Sequence, residues 1–276
     1  MGFTLGTTTP AFRILGSPMT HASRNFLGAL LAMTALCAPP LRSQTVADLR
    51  ANYDAAAGGF SNGTTSVGKI SDTFASGSWN FYGSSTVNPT AGGANLTLLT
   101  YSTSSNGVRT ANAYATIGQS FDLPAWSNAN LISPAGTEGS PSANELAVHP
   151  GGSDPQYAIA AWTSGYTGTV GLAGAFRDLG VSGNGVTLDI WRNGVALFSS
   201  GVTSGSTPIP YSTNIAVGPA DVLYFVVGSN GEYSGDQSAL SATVSAVPEP
   251  STYAAFVGLA CLAVAVTRRQ GAAQPT

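Results

Sequence analysis

Along the second half of the chain, apolar and polar positions follow the period of a β-strand. Tyr157–Trp162, Gly168–Asp178 and Val186–Trp191 alternate, or run apolar, over strand-like lengths. Arg192-Asn193-Gly194 separates Val186–Trp191 from Val195–Phe198. Asn-Gly between two such runs is the strongest short-range signal for a hairpin. Ile215–Val217 leads into the turn Gly218-Pro219-Ala220-Asp221, and Val222–Gly228 is apolar throughout, as a central strand would be. Asp236–Leu240 then turns into a closing strand, Ser241–Ser245. The first half is less regular. Phe74–Tyr82 is aromatic-rich and Asn95–Tyr101 alternates well, but Ser102 to about Glu145 is broken by Asn-Gly, Leu-Pro and Ser-Pro. Helix signals are scarce, and Val46–Tyr53 predicts one short turn. Short strands with a turn signal roughly every eight to twelve residues predict an all-β fold, an antiparallel sandwich or barrel.

Both ends of the chain carry a different pattern. Arg24 precedes an apolar run from Phe26 to Cys37. A positive segment before a short apolar stretch is a secretory signal peptide. Residues 1–43 are therefore read as a signal region, with Met19 as an alternative start and cleavage around Ser43-Gln44. Leu36, directly before Cys37, argues against a lipid-modified cysteine. At the other end stand Val247, Pro248, Glu249, Pro250, Ser251 and Thr252, then an apolar run from Tyr253 to Val266, then Arg268 and Arg269. Pro-Glu-Pro cannot enter a helix or a central strand and stays extended. The run falls short of the roughly 20 residues that span a bilayer. The two arginines would hold its end on the cytoplasmic side as a membrane stop. The chain thus divides into a signal region (1–43), a β-domain (44–246) and a tail (247–276).

Charge sharpens this division. The segment 44–247 holds twelve acidic residues against Arg50, Lys69, Arg109, Arg177 and Arg192, a net charge near −7. That balance excludes nucleic acid as a partner and disfavours anionic membrane surfaces. Both cysteines, Cys37 and Cys261, lie outside the segment, so the domain holds without disulfides and without thiol chemistry. Glycine, serine, threonine and asparagine dominate its polar positions, as in secreted β proteins, and four tryptophans argue against disorder.

Val-Pro-Glu-Pro-Ser-Thr, a short apolar helix and an arginine pair, in that order, resemble the PEP-CTERM sorting signal of Gram-negative bacteria. The resemblance covers residues 247–269. It implies recognition by an exosortase, removal of the tail near Pro-Glu-Pro, and passage from an inner-membrane intermediate to the cell surface or extracellular matrix. A second, softer resemblance covers roughly 70–246. It rests on Leu146-x-Val148-His149-Pro150-Gly151, Ala161-Trp162, Gly174-x-Phe176-Arg177-Asp178, Gly183-Asn184-Gly185-Val186, Trp191-Arg192-Asn193-Gly194, Gly218-Pro219-Ala220-Asp221 and Phe225-Val226-Val227-Gly228. These segments resemble exported jelly-roll domains of the galactose-binding, carbohydrate-binding type. That likeness implies a jelly-roll-like sandwich, with exopolysaccharide as a partner.

Candidate chemistry is thin. His149 is the only histidine outside the signal region, and a lone imidazole makes no metal site; hydrogen bonding to backbone in a turn is the plainer reading. No His-Glu-x-x-His pair occurs. Glu138, Glu145 and Asp154 are the acids near one loop, but a glycosidase needs two facing carboxyls about 5–9 Å apart. The jelly-roll resemblance admits a structural calcium, with Glu232 and Asp236 as its candidate ligands, against the plainer reading that these acids form turns. Among the tryptophans, Trp162 and Trp191 fall in strand patterns and predict core packing. Trp126, in Leu123-Pro124-Ala125-Trp126-Ser127-Asn128, falls in a loop and is the candidate for stacking on a sugar, with His149 beside it as a ligand-binding candidate. The expectation is a non-catalytic surface or matrix protein that needs no cofactor. The alternative is a secreted carbohydrate-active enzyme of the hydrolase or lyase type.

Overall fold

The computed structural model describes residues 43–57, 70–71, 77–90, 96–103, 109–112, 124–128, 131, 139–151, 157–180, 183–202, 205, 207–232, 235–248 and 257–266. In chain order the elements are β1 (Gln44–Asp48), α1 (Leu49–Ala57), β2 (Ile70–Ser71), β3 (Ser78–Ser84), β4 (Leu96–Leu98) and β5 (Thr100–Thr103). They continue with β6 (Arg109–Asn112), β7 (Ala125–Ser127), β8 (Leu146–His149), β9 (Tyr157–Thr163) and β10 (Gly168–Asp178). The last five are β11 (Val186–Arg192), β12 (Val195–Val202), β13 (Ile209–Val217), β14 (Val222–Ser229) and β15 (Ser238–Ala246).

These strands form two antiparallel sheets. Sheet A runs β13-β10-β15-β8-β7-β6-β5, with β1 also paired to β15; sheet B runs β12-β11-β14-β9-β3-β2, with β4 also paired to β3. From β8 onward successive strands alternate between the sheets, except at the β11–β12 hairpin. That hairpin turns where the sequence predicts, with Asn193 at φ 47° and Gly194 at φ 88°. Both central residues of a tight type I′ turn need positive φ, which Asn and Gly tolerate at low cost.

The inner faces pack as a sandwich, with Leu172, Phe176, Leu240 and Val244 from sheet A against Trp162, Leu188, Phe225 and Val227 from sheet B. Aromatic rings bridge the layers: Phe81 lies 5.5 Å from Trp126, and Tyr211 lies 5.7 Å from Phe198 and 6.3 Å from Phe225. A glycine makes one of these bridges. Tyr211 leans over Gly174 on the neighbouring strand to donate its hydroxyl to the Ser241 carbonyl at 2.6 Å, and any Cβ at Gly174 would collide with both groups.

Three expectations shift. Val46 and Ala47 belong to a strand, and the helix starts later; Asp48 caps it by accepting the Ala51 N–H at 2.8 Å, while the Asn52 amide oxygen accepts the Asp48 N–H at 2.9 Å. Asn95–Tyr101 is not one strand, because the chain changes sheets at buried Leu99, with β4 in sheet B and β5 in sheet A. The strands expected at Ile215 and Ser241 begin earlier, at Ile209 and Ser238.

Residues 43–248 make one compact unit and the 257–266 helix belongs to another. At about 1.5 Å per residue that helix is roughly 15 Å long. No helix among the described residues is long and apolar enough to cross a membrane. Residues 1–42, Glu249–Thr252, Arg268 and Arg269 lie outside the described residues. Within the compact unit the two chain ends meet: Gln44 pairs with Ala246, the Ser43 hydroxyl donates to the Ala246 carbonyl at 3.0 Å, and the Val247 N–H donates to Thr169 at 2.9 Å.

Candidate functional site

Strand alternation sets what sheet B shows to the outside. Trp79, Phe81, Ala160, Trp162, Phe225 and Ile190 belong to the core. Their neighbours Asn80 and Tyr82 on β3, Ile159 and Ala161 on β9, Tyr224 and Val226 on β14, and Asp189 and Trp191 on β11 therefore point outward. The register aligns them in two rows across four strands. One row is Tyr82, Ile159, Val226 and Asp189; the other is Asn80, Ala161, Tyr224 and Trp191. At about 4.8 Å between strands, each row is roughly 14 Å long.

The middle of this face is closed. Ile159, Ala161 and Val226 point outward yet are buried. Tyr82 and Tyr224 stand on either side of β9, and burial raises both phenol pKa values, with Tyr224 adding to the rise at Tyr82. Residues 85–90 add a cover. They leave β3 at Ser84, at the Tyr157 end of the sheet, and reach the β11–β12 turn at the opposite corner, where a Cβ on Gly194 would collide with the Thr90 hydroxyl. Short bonds of their own shape them: Thr86 N–H to the Ser84 hydroxyl at 3.0 Å, and Thr90 N–H to the Asn88 side-chain oxygen at 3.1 Å. Tyr82, Tyr157, Trp191 and Tyr224 remain half-exposed around this cover, and no described residue accepts a hydrogen bond from Trp191 Nε1.

The ionisable groups lie elsewhere and serve the fold. Glu145 receives Arg177 through two nitrogens, at 3.0 Å from Nε and 2.6 Å from Nη2, and also the Ser142 N–H at 2.7 Å. Burial alone would raise its pKa; the bonds from Arg177 and Ser142 outweigh burial and hold it below the usual range. Arg50 ties α1 to the same loop through the Glu145 carbonyl at 2.7 Å. At the opposite end of the sandwich from Gln44 and Ala246, the Gln237 side chain accepts from Leu131 N–H at 2.8 Å and donates to the Gly139 carbonyl at 3.0 Å.

The residues singled out in the sequence fall largely inside. Trp126 is no loop residue: it is the middle of β7, fully buried, with Phe81 against its ring. Three residues suffice for that strand because β6 and β8 pair with it on both sides. A buried ring cannot stack on a sugar, so the expectation for Trp126 is corrected. His149 ends β8 and is 2% exposed, its Nδ1–H donating to the Pro150 carbonyl. Burial lowers its pKa to about 4, against a smaller opposing effect of that bond. It is hydrogen-bonded to backbone as expected, but it is out of reach of a ligand. Asp236 is fully buried while Glu232 is exposed, so the expected calcium pair is split between interior and solvent. The better-placed carboxylate is Asp178, 4% exposed. Its Oδ1 accepts the Gly180 N–H at 2.8 Å, and its Oδ2 is buried with no hydrogen-bond partner among the described residues. The Gly235 carbonyl crowds the same side of Gly180. No group of three metal-ligating side chains occurs among the described residues. Glu138 and Asp154 lie outside those residues.

Trp191, expected in the core, is the tryptophan that reaches the outside, and Tyr82, Tyr157 and Tyr224 were missed. Strand parity could have found them: each sits one residue from a core aromatic or aliphatic residue in a run that is apolar on both faces.

No protein-family model matches this chain and no curated protein matches it. Solved structures overlap it partially. A family 35 carbohydrate-binding module from Clostridium thermocellum is 16% identical, covers 44% of this chain and 90% of its own, and has a TM-score of 0.29. CBM51 from Clostridium perfringens GH95, in complex with methyl-galactose, is 13% identical, covers 37% and 70%, and scores 0.29. The secreted serine protease VesC from Vibrio cholerae is also 13% identical, over 38% and 22%, and scores 0.29. Overlaps this shallow leave the chemistry to be argued from this chain's own residues.

Proposed function

We propose that this is an exported, non-catalytic protein of a Gram-negative cell surface or extracellular matrix, sorted by an exosortase, whose jelly-roll-like sandwich binds exopolysaccharide. The observation that carries the binding part is the half-exposed set Tyr82, Tyr157, Trp191 and Tyr224 on one sheet face, since aromatic rings with polar tips suit sugar rings. The sorting part is supported by where the domain stops: its last ladder bond is made by Val247, directly before Pro248-Glu249-Pro250. Against the alternative of a hydrolase or lyase, Glu145 is occupied by Arg177 and cannot serve as a free acid or base. The membrane holds the tail only until processing.

Surface material from a host with exosortase should yield no peptide beyond about Ser251 by mass spectrometry. A mature chain still carrying Arg268 would replace sorting with a plain anchor.

A further inference from the structure

We infer that the free side of β13 is an interface between two copies of this chain, which pair strand to strand, antiparallel, about Thr213.

The free side follows from register. β13 ends sheet A, with β10 as its one ladder neighbour among the described residues. On β10, the Thr169 carbonyl accepts from Val247 N–H, and Ala175 N–H donates to the Ser241 hydroxyl at 3.0 Å. The odd-numbered residues of β10 therefore turn their backbone groups toward β15. Their partners on β13 are Pro210, Ser212, Asn214 and Ala216, which turn theirs away from β10 into the open. One group of this row is taken, because the Ala216 carbonyl accepts from the Arg192 guanidinium. One is missing by nature, the N–H of Pro210. No other bond to the row is made by a described residue.

What remains is complementary to itself. With Thr213 on a two-fold axis, Ser212 faces Asn214 of the second copy and exchanges two N–H···O bonds with it, and symmetry repeats them. Ala216, whose carbonyl is occupied, faces Pro210 of the second copy, which has no N–H to offer. The Ala216 N–H still finds the Pro210 carbonyl. An ordinary residue in that place would bring its N–H to a carbonyl already bonded. The ladder stops at the next pair, since Pro208 has no N–H and the Gly218 N–H is held by Asp221 at 2.9 Å.

The surroundings also suit a second copy. Sheet edges are commonly blunted by charge, a bulge or brevity. β13 is 9 residues long, uncharged, and pairs with β10 without a bulge. β12 ends sheet B on the same side of the sandwich, with Phe198 5.7 Å from Tyr211, and it is broken by a bulge at Leu197. From Asn193 to Ala220 there is no Asp, Glu, Lys, Arg or His. A charged partner would find no counterion there, and two copies of an acidic domain can meet there without setting like charges together. Strand residues about 3.4 Å apart and layers about 10 Å apart, with side chains on either side, give this wall an area of roughly 600 Å². A standard interface takes about 800 Å² from each partner, so the pair forms and parts with concentration.

Sedimentation velocity on the compact unit Ser43–Pro248, which holds every residue of the core without the apolar tail, is the test. A monomer–dimer equilibrium is expected between micromolar and millimolar concentration. Ser212→Pro removes an outward N–H while leaving the bonds to β10, and should weaken the dimer about tenfold or more. Thr213→Lys, at an exposed position, reduces the excess of acid yet sets two ammonium groups against each other on the axis. It should weaken the dimer about threefold or more, most at low salt. Thr213→Cys reads the register. The two Thr213 positions form a non-hydrogen-bonded pair with Cα atoms about 4.5 Å apart, within reach of a disulfide. Both native cysteines lie outside the unit, so mild oxidation should link the Thr213→Cys variant covalently and leave the Asn214→Cys variant unlinked. A monomer at every concentration overturns the interface, as does a dimer that Ser212→Pro and Thr213→Lys both leave unchanged. A dimer that they weaken, but in which the two cysteine variants link equally or not at all, keeps the edge and overturns the register.

Discussion

The two sheets obey one alternation rule and present opposite outsides. Sheet A shows Thr169, Gly171, Ala173 and Ala175 on β10, Ser212 and Asn214 on β13, and Thr243 and Ser245 on β15: small, uncharged and flat. Sheet B shows a tryptophan and three tyrosines. The difference runs inward as well. Sheet A concentrates buried polar contacts, with Tyr211 on Ser241, the Arg177–Glu145 pair, and His149, Asp178 and Gln237 at its far end. Among the described residues the buried ion pair, His149 and Asp178 belong to sheet A, and the half-buried outward rings of sheet B are neutral aromatics.

Three measurements break or sharpen this contrast. Gly174→Val should be the most damaging change, because the Ser241 carbonyl and the Tyr211 ring occupy the space a side chain needs, and backbone cannot swing aside. A cost of roughly 3 kcal/mol or more is expected, a large part of the about 5–15 kcal/mol a domain possesses. A cooperative melt near the wild-type temperature would show that sheet A's edge is not closed this way.

Acid should come next. His149 titrates at about 4 in the folded state against an ordinary value of 6.5. The unfolded chain therefore binds the proton first as pH falls, and stability is lost between those two values. The full shift corresponds to roughly 3 kcal/mol, reached only near the lower end of the window. His149→Gln should flatten this part of the melting-temperature profile. Parallel profiles for the variant and the wild type would place His149 in contact with water.

The smallest effect belongs to sheet B. Gly194→Val forces a β-branched residue to positive φ at about 1–3 kcal/mol and pushes against the Thr90 hydroxyl, the end of a side chain that can rotate away. A drop of several degrees in melting temperature is expected. An unchanged melt would mean that the turn is not the type I′ geometry described, and a total loss of folding would erase the contrast between the sheets.

The second half of the fold was legible because its strands are long and its turns carry strong signals. β10 spans the residues that the alternation marks, and Asn193-Gly194 turns as its chemistry demands. The first half was legible only in part, since a three-residue strand such as β7 has no period to read and is defined by neighbours distant in sequence. The site was legible least. The residues whose chemistry stands out in the sequence, His149, Glu145 and Asp236, are interior. Tyr82 and Tyr224 drew no notice because a strand covered on both faces looks uniformly apolar, and which face each ring takes is decided by pairing.

The meeting of the first and last strands of the compact unit has a mechanical meaning. Opposed pulls at Gln44 and Ala246 would peel β1 from β15 one bond at a time, the weak direction for any ladder. A load entering at Pro248 while sheet B is held runs instead along the axis of β15. The nine pairs joining β15 to β10, from Val170–Ala246 to Asp178–Ser238, then bear it together in shear. A domain loaded at that end yields easily if its own first strand is tugged, and holds firm if sheet B is pulled.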